Sequence, residues 1–310
     1  MKVLSLKNLT WLLIIGVLLV SFLPNIISNY WLIDIFSNFK FQYLVISVLL
    51  VFPTIFFLKK KLAALLMLSA CFLWNFYYIV PYYIKSENFN SGKEVKITSI
   101  NLFSSNSQDD LVLKYINQED PDILILMELT PNWLEKLSPI MDKYKSKEIV
   151  PRSDNFGIAL LSKYKMRSAI DYFELNNKPS IVSDLKIENH NFSIIATHPV
   201  PPISQETFEN RNKQLANIIL NRPRFSDNLI IVGDFNTSSF SNHFNQLINK
   251  DLKDSRFGFG LLPTWPASLK VFQTTLDHIL VSDHLKVIER NTGPDIGSDH
   301  LPINLIIGVN

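Results

Sequence analysis

Carboxylates, carboxamides and imidazoles recur in this chain at the points where apolar runs end. Glu128 closes the run of residues 123–127, and Asp234 and Asn236 follow residues 229–233 in the string IIVGDFNTSS. There a glycine permits a sharp turn, and the acid and the amide alternate onto one side. Asp277 lies inside TTLDHILVS, where an acid among Leu, Ile and Val is costly to bury unless it has a partner. Asp299 and His300 stand in GSDHLPI, between a glycine turn and the last apolar stretch. His198 ends the stretch IIATHPVPP, and Asn101 ends ITSINLF. Strand ends are where a buried scaffold presents side chains to solvent, so these residues form one candidate set.

The chemistry such a set could perform is limited. A carboxylate that accepts from one imidazole nitrogen fixes the tautomer and frees the other nitrogen for proton transfer, so Asp277 with His300 reads as a general-base dyad. Acids and amides with imidazoles and without thiols suit a hard, oxygen-preferring cation such as Mg²⁺ better than zinc. The single cysteine, Cys71, lies in an apolar run, which excludes intramolecular disulfides and Cys-based metal sites. The chain has no Walker loop, no G-x-S-x-G elbow, no H-E-x-x-H and no glycine-rich dinucleotide fingerprint. Each residue also has a plainer reading. Glu128 could cap a helix starting near Pro131, His198 could be structural, and Asn101 could be a turn residue. Trp265, between Pro263 and Pro266, reads more readily as a packed loop aromatic than as a groove-lining one.

The elements that must hold these residues alternate in type. Strands are expected at about 95–103, 123–127, 156–161, 181–187, 192–197, 229–232, 275–281 and 302–307. Asn189 and His190 read as a hairpin turn. Helices are expected from Asp109 and Asp110 onward, at 131–142, at 204–221 with Phe208, Leu215, Ile218 and Ile219 on one face, and at 241–249. Hairpins mixed with helical crossovers imply an α/β sandwich rather than a purely parallel sheet.

The preceding residues are of another kind. Hydrophobic residues make up 47% of the 310, and the mean hydropathy of +0.13 is high for a wholly soluble enzyme. The excess is local, because residues 1–85 contain Asp34 as their only acid. Uncharged apolar stretches at about 9–27, 41–58 and 62–84 are each about long enough to cross a ~30 Å hydrocarbon layer. Pro24 is taken to mark the end of the first; a cleaved leader is the alternative for that stretch. Residues 86–94 read as a linker and 95–310 as the catalytic domain. Lys2 and Lys7 precede the first stretch and Lys59 to Lys61 fill the loop before the third. Basic residues are retained on the cytoplasmic side, so everything after residue 84 is expected outside the cytoplasm. The net charge of +2 carries no footprint for or against nucleic acid.

Taken in order, the motifs resemble those of the endonuclease/exonuclease/phosphatase (DNase I-like) superfamily. Asn101, Glu128 in PDILILMEL, GIALLSK from Gly157, His198, Gly233 to Asn236 as G-D-F-N, Asp277 to Ile279 as D-H-I, and Ser298 to His300 as S-D-H all fall in sequence. The three spans with THPVPP and PTWP look similar to a bacterial membrane-bound branch that includes the YafD and VanJ proteins. The resemblance implies a four-layer αββα sandwich after three transmembrane helices, multi-pass in a bacterial cell membrane. It implies that Glu128, with Asn101 and Asp299, holds Mg²⁺ (Mn²⁺ being possible) against a phosphate oxygen. His300, oriented by Asp277, would then deprotonate the attacking water, Asp234 would position that water or serve the leaving oxygen, and Asn236 and His198 would hydrogen-bond the phosphoryl group. The implied partners are the lipid bilayer and a phosphate ester, either lipid-linked or a phospholipid head group; an extracytoplasmic nuclease is the alternative. A catalytically silent anchored binding module is the third reading.

Overall fold

The computed structural model describes residues 5–85, 92–175, 177–248 and 251–309. Twelve strands run through them: β1 (Lys93–Asn101), β2 (Ile123–Met127), β3 (Ser146–Val150), β4 (Ile158–Ser162), β5 (Met166–Asp171), β6 (Ser180–Ile187), β7 (His190–Thr197), β8 (Asn228–Asp234), β9 (Leu252–Asp254), β10 (Asp277–Ser282), β11 (Lys286–Thr292) and β12 (Ile303–Val309). They form two six-stranded sheets, ordered β11-β12-β1-β2-β4-β3 and β5-β6-β7-β8-β10-β9. Both are mixed: β1 pairs β2 in parallel and β12 antiparallel, while β7 pairs β8 in parallel and β10 returns antiparallel to β8.

The inner strands carry apolar side chains on both faces, which requires cover on both sides. Ile97, Ile125 and Ile158 of one sheet meet Ile194, Ile230 and Ile279 of the other in a central core. On the outer face of the first sheet, Leu124 and Leu126 pack under Val112 and Ile116 of the helix Asp109–Glu119 and Trp133 of the helix Pro131–Lys136. On the outer face of the second, Ile195, Leu229 and Ile231 pack under Leu215 and Ile218 of the helix Gln205–Leu220. The result is the four-layer αββα sandwich.

Three helical segments are long and apolar enough to cross a membrane: Leu6–Ile26, Trp31–Phe57 and Lys61–Tyr82. They share a small core of Ile14, Val17, Leu50, Ala64, Leu68 and Cys71, and leave Leu12, Leu49, Phe52, Phe56, Leu66 and Leu73 exposed. Pro24 lies inside the first helix, which ends at Ile26 rather than at the proline. The second segment starts well before residue 41. A short helix (Trp31–Asp34) and a 3₁₀ turn (Ile35–Phe39) lead into Lys40–Leu49, and the break at Leu50 precedes Pro53, whose ring clashes with the carbonyl four residues earlier. Lys40 is buried, with its ammonium on Ser21 O at 2.6 Å and Asn25 Oδ1 at 2.5 Å.

These helices dock on the sandwich through polar contacts. Asn25 Nδ2 donates to Phe240 O and Asn242 Oδ1, the Tyr82 hydroxyl to Asp254 Oδ2, and Gly260 N to Tyr82 O. Tyr82 and Ile79 also pack on Phe240 and Leu261.

The expected elements stand with adjusted ends, with some exceptions. The hairpin turn is Glu188 and Asn189, not Asn189 and His190, since Ile187 pairs His190 across it and Glu188 takes the positive φ of 52°. The stretch 131–142 is two helices, Pro131–Lys136 and Ser138–Met141, separated by Leu137 ahead of Pro139. Helix 241–249 shortens to Asn242–Asn245. Most of the linker 86–94 lies outside the described residues.

Candidate active site

Chain direction alone brings the polar strand ends together. The ends of β1, β2, β7 and β8 and the beginnings of β10 and β12 lie at one end of the two sheets, because β10 and β12 run antiparallel to β8 and β1. Asn101, Glu128, His198, Asp234, Asp277 and His300 all occupy that end. In register, Asp277 faces Asp234 across the β8–β10 pair.

Two glycines let the backbones close up there. Gly233 has φ 149°, and a Cβ on it would stand 2.0 Å from Thr197 O. A Cβ on Gly157 would stand 1.9 Å from Leu129 O, beside Glu128. Glu128 (φ 57°) and Asn236 (φ 52°) both adopt left-handed backbone, which is uncommon for residues with a side chain and is concentrated at functional sites.

Asp234, Asp277 and His300 each bring a donor atom to within 4.8 Å of the others. His300 Nδ1 donates to Asp277 Oδ2 at 2.8 Å, and its Nε2 stands 3.6 Å from Asp234 Oδ2. Asp277 Oδ2 also accepts from Thr264 Oγ1 at 2.5 Å. His198 Nε2 approaches the same Asp234 oxygen at 3.6 Å. Asn101 links this group to Glu128, its Nδ2 lying 3.3 Å from Asp234 Oδ2 and 3.3 Å from Glu128 Oε1. Ser104 N donates to Glu128 Oε2 at 2.9 Å. The helix at Pro131 is capped by Thr130, whose Oγ1 accepts from Trp133 N, so Glu128 is not its cap.

Burial pulls the His300 imidazole down, but the charges of Asp277 and Asp234 outweigh it and hold the group at about 10. Burial works against the Asp277 carboxylate too, and His300 and Thr264 overcome it, so its pKa is lowered. Asp234 goes the other way: burial and the neighbouring Asp277 charge raise it above the ordinary carboxylate range. Burial lowers the His198 imidazole despite the nearby Asp234.

Asn236 is held from three sides. Its N–H donates to Asp234 Oδ1 at 2.9 Å, its Nδ2 to Pro199 O at 3.0 Å, and its carbonyl accepts from Arg211 Nη1 at 2.5 Å. Asp299 sits at the rim, where its Oδ2 accepts from Trp265 Nε1 at 3.2 Å. Trp265 is 37% exposed and its ring centroid is 6.4 Å from that of His300, so it stands beside the site rather than inside a packed loop. Phe156 takes the corresponding place beside His198, with ring centroids 5.6 Å apart. Sequence reasoning missed Thr264, Arg211 and Phe156. Thr264 directly precedes Trp265 in a motif already singled out, whereas Arg211 gave no local signal.

The donor set fits a hard cation. Asp299 Oδ1 is buried without a hydrogen-bond partner among the described residues, as is His198 Nδ1. An orphaned buried carboxylate oxygen is the kind of atom that a bound ion satisfies.

Two mixed sheets flanked by helices, with acids, amides and imidazoles gathered at one end, define a DNase I-like phosphoesterase fold. The chain belongs to the Endonuclease/Exonuclease/phosphatase family, whose model matches residues 98–300. Members of that family hydrolyse phosphoesters, typically with a divalent metal. No curated protein matches the chain by sequence. Among solved structures, TDP2 of D. rerio complexed with a single-strand DNA product is similar at TM-score 0.60 and 16% identity, covering 70% of this chain and 100% of that one. A conserved protein from Enterococcus faecalis is similar at TM-score 0.56 and 20% identity, covering 69% and 100%. An endonuclease/exonuclease/phosphatase from Bacteroides vulgatus is similar at TM-score 0.57 and 16% identity, covering 71% and 100%. At these identities the likeness concerns the fold.

Proposed function

We propose that this protein is a membrane-anchored, divalent-metal-dependent phosphoester hydrolase, with Mg²⁺ as the preferred ion and Mn²⁺ a possible substitute. Glu128 and Asp299, with Asn101, are the residues that would hold the ion. When bound, it withdraws charge from a phosphate oxygen and so lowers the cost of in-line attack. The observation that carries the reading is the contact of His300 with Asp277 on one side and Asp234 on the other, beside the Asn101–Glu128 pair.

The bond from His300 to Asp277 fixes the imidazole and leaves its Nε2 facing Asp234. His300, oriented by Asp277, deprotonates the attacking water. Asp234, 3.6 Å from both His300 and His198, positions that water or serves the leaving oxygen. His198 and Asn236 complete the phosphoryl cradle.

Anchoring favours a substrate that is itself in the membrane, a lipid-linked phosphate or a phospholipid head group. The lysine-rich ends of the helices, at Lys7 and Lys59 to Lys61, lie away from the end that docks on the sandwich, which supports an extracytoplasmic catalytic domain. The test uses full-length protein in detergent or nanodiscs with Mg²⁺. It is assayed against a soluble phosphodiester, lipid phosphates and single-stranded DNA, in parallel with His300→Ala. Metal-dependent turnover lost in the variant is expected; equal turnover in both proteins refutes the assignment. Preferential cleavage of DNA would replace the lipid substrate by the nuclease alternative.

A further inference from the structure

Two loops leave the candidate active site and return to the membrane-length helices, and each exposes apolar side chains on the way. The first begins at Trp265 and Ala267, which donate from Nε1 and N to Asp299 Oδ2 and Asp299 O. It ends against the second helical segment. Gln42 Nε2 donates to Val271 O at 3.0 Å and to Gln273 O at 3.3 Å, and Thr274 Oγ1 donates to Asn38 Oδ1 at 2.9 Å. Between these ties Leu269, Val271 and Phe272 are 56%, 75% and 59% exposed. The second loop runs from His198 to the helix Gln205–Leu220. Gln205 bonds the Asn29 carbonyl and the Trp31 N–H, and Ile203 just before it is 72% exposed.

Their height on the helices indicates what covers these tips. Lys40 to Phe57 is a rise of about 27 Å, close to the ~30 Å of a hydrocarbon layer. Gln42 therefore stands about 3 Å along from Lys40, where the 3₁₀ turn gives way to the longer helix. Ile46 and Leu49, one and two turns further along the face that carries Gln42, are open to the surroundings. The Leu269–Phe272 tip is tied to that exposed apolar helix face through Gln42 and Val271 O, and Lys270 within it suits a head-group layer.

We propose that the Leu269–Phe272 tip and Ile203 are seated in the interfacial layer of the bilayer. Seated there, they turn the end of the sheets that carries Trp265, His300 and His198 toward the membrane surface, so that the phosphoester hydrolysed is carried by a lipid of that leaflet. This rests on the membrane-anchored phosphoesterase reading and adds the surface through which the substrate arrives.

The test uses full-length protein reconstituted in phosphatidylcholine vesicles carrying phosphatidic acid and phosphatidylglycerol, with bis(p-nitrophenyl) phosphate as the soluble comparison. The double variant Val271→Glu, Phe272→Glu is expected to lose at least about tenfold in turnover of the vesicle lipids and to keep the parent rate on the soluble diester. Independently, a fluorophore on Phe272→Cys in a Cys71→Ser background is expected to be quenched by brominated lipids. An unquenched label, or a double variant that loses both activities equally or neither, overturns the seating. Should the parent turn over no phosphoester at all, the hydrolase reading fails, and the quenching result alone decides whether the tip enters the bilayer.

Discussion

Asp34 and Arg211 form a buried ion pair, Nη2 to Oδ2 at 3.3 Å, across the boundary between the membrane-length helices and the sandwich. Ser241 Oγ donates to the other Asp34 oxygen at 2.6 Å, and Arg211 reaches on to the Asn236 carbonyl. The only acid of the first 85 residues thus holds the arginine that holds the backbone beside Asp234. Removing one partner of a buried pair leaves an uncompensated charge and costs about 3–5 kcal/mol. Asp34→Ala should lower the thermal midpoint of the detergent-purified protein and its turnover together. The apolar pair Asp34→Leu, Arg211→Met should recover stability but not turnover, and recovery of both would show that the pair does not act through Asn236.

His300→Ala should reduce phosphodiester turnover by about 10²- to 10⁴-fold without loss of folding. Asp277→Asn keeps a hydrogen-bonding group but removes the charge that stabilises the imidazolium formed on proton transfer, so a loss of about 10²-fold is expected. Steady-state rates and circular dichroism of both variants check this. An Asp277→Asn enzyme at parental rate would remove the dyad from the mechanism.

Chelation by EDTA should abolish turnover, and Mg²⁺ should restore it. Trp265→Phe deletes the hydrogen bond to Asp299 Oδ2, and such supporting contacts alter metal affinity by about 10- to 100-fold. The Mg²⁺ concentration for half-maximal rate should rise accordingly, and Glu128→Gln should raise it further. A metal titration with unchanged midpoints in both variants would contradict the ligand assignment.

His278 should make the fold acid-sensitive. Its Nδ1 accepts from Arg256 at 2.9 Å, so the ring is neutral with its proton on Nε2, which donates to Thr237 O at 2.8 Å. Burial, reinforced by the Arg256 charge, lowers its pKa to about 3. Between about 6.5 and 3 the unfolded chain binds a proton that the folded chain refuses. The contribution is complete above pH 6.5 and is lost as the pH falls toward 3. Melting curves across this window should show a shallower acid limb for His278→Asn than for the parent.

Gly233→Ala should destabilise by about 1–3 kcal/mol or more, since the new methyl meets the Thr197 carbonyl and the backbone stands at a positive φ. Denaturant midpoints measure it. A variant of parental stability would mean that the ends of β7 and β8 can move apart without cost.

The sequence by itself determined the inner strands and the residues that end them. β2, β4 and β10 are buried at every position and carry the apolar runs 123–127, 158–161 and 279–281, and acids such as Glu128 and Asp277 are conspicuous at the ends of such runs. The four strands it did not disclose, β3, β5, β9 and β11, are the four sheet edges. β3 and β5 have no buried position, β11 buries only Arg290, and β9 is only three residues long, so their conformation comes from the neighbour they pair with rather than from a pattern of their own. The same holds for the site. Motif order announced the acids and histidines, but only the tertiary structure joined Arg211 to Asp34, separated by 177 positions, and carried Trp265 to Asp299. Burial leaves its mark on the residue that is buried, whereas a contact between distant segments leaves none on either partner until the chain has folded.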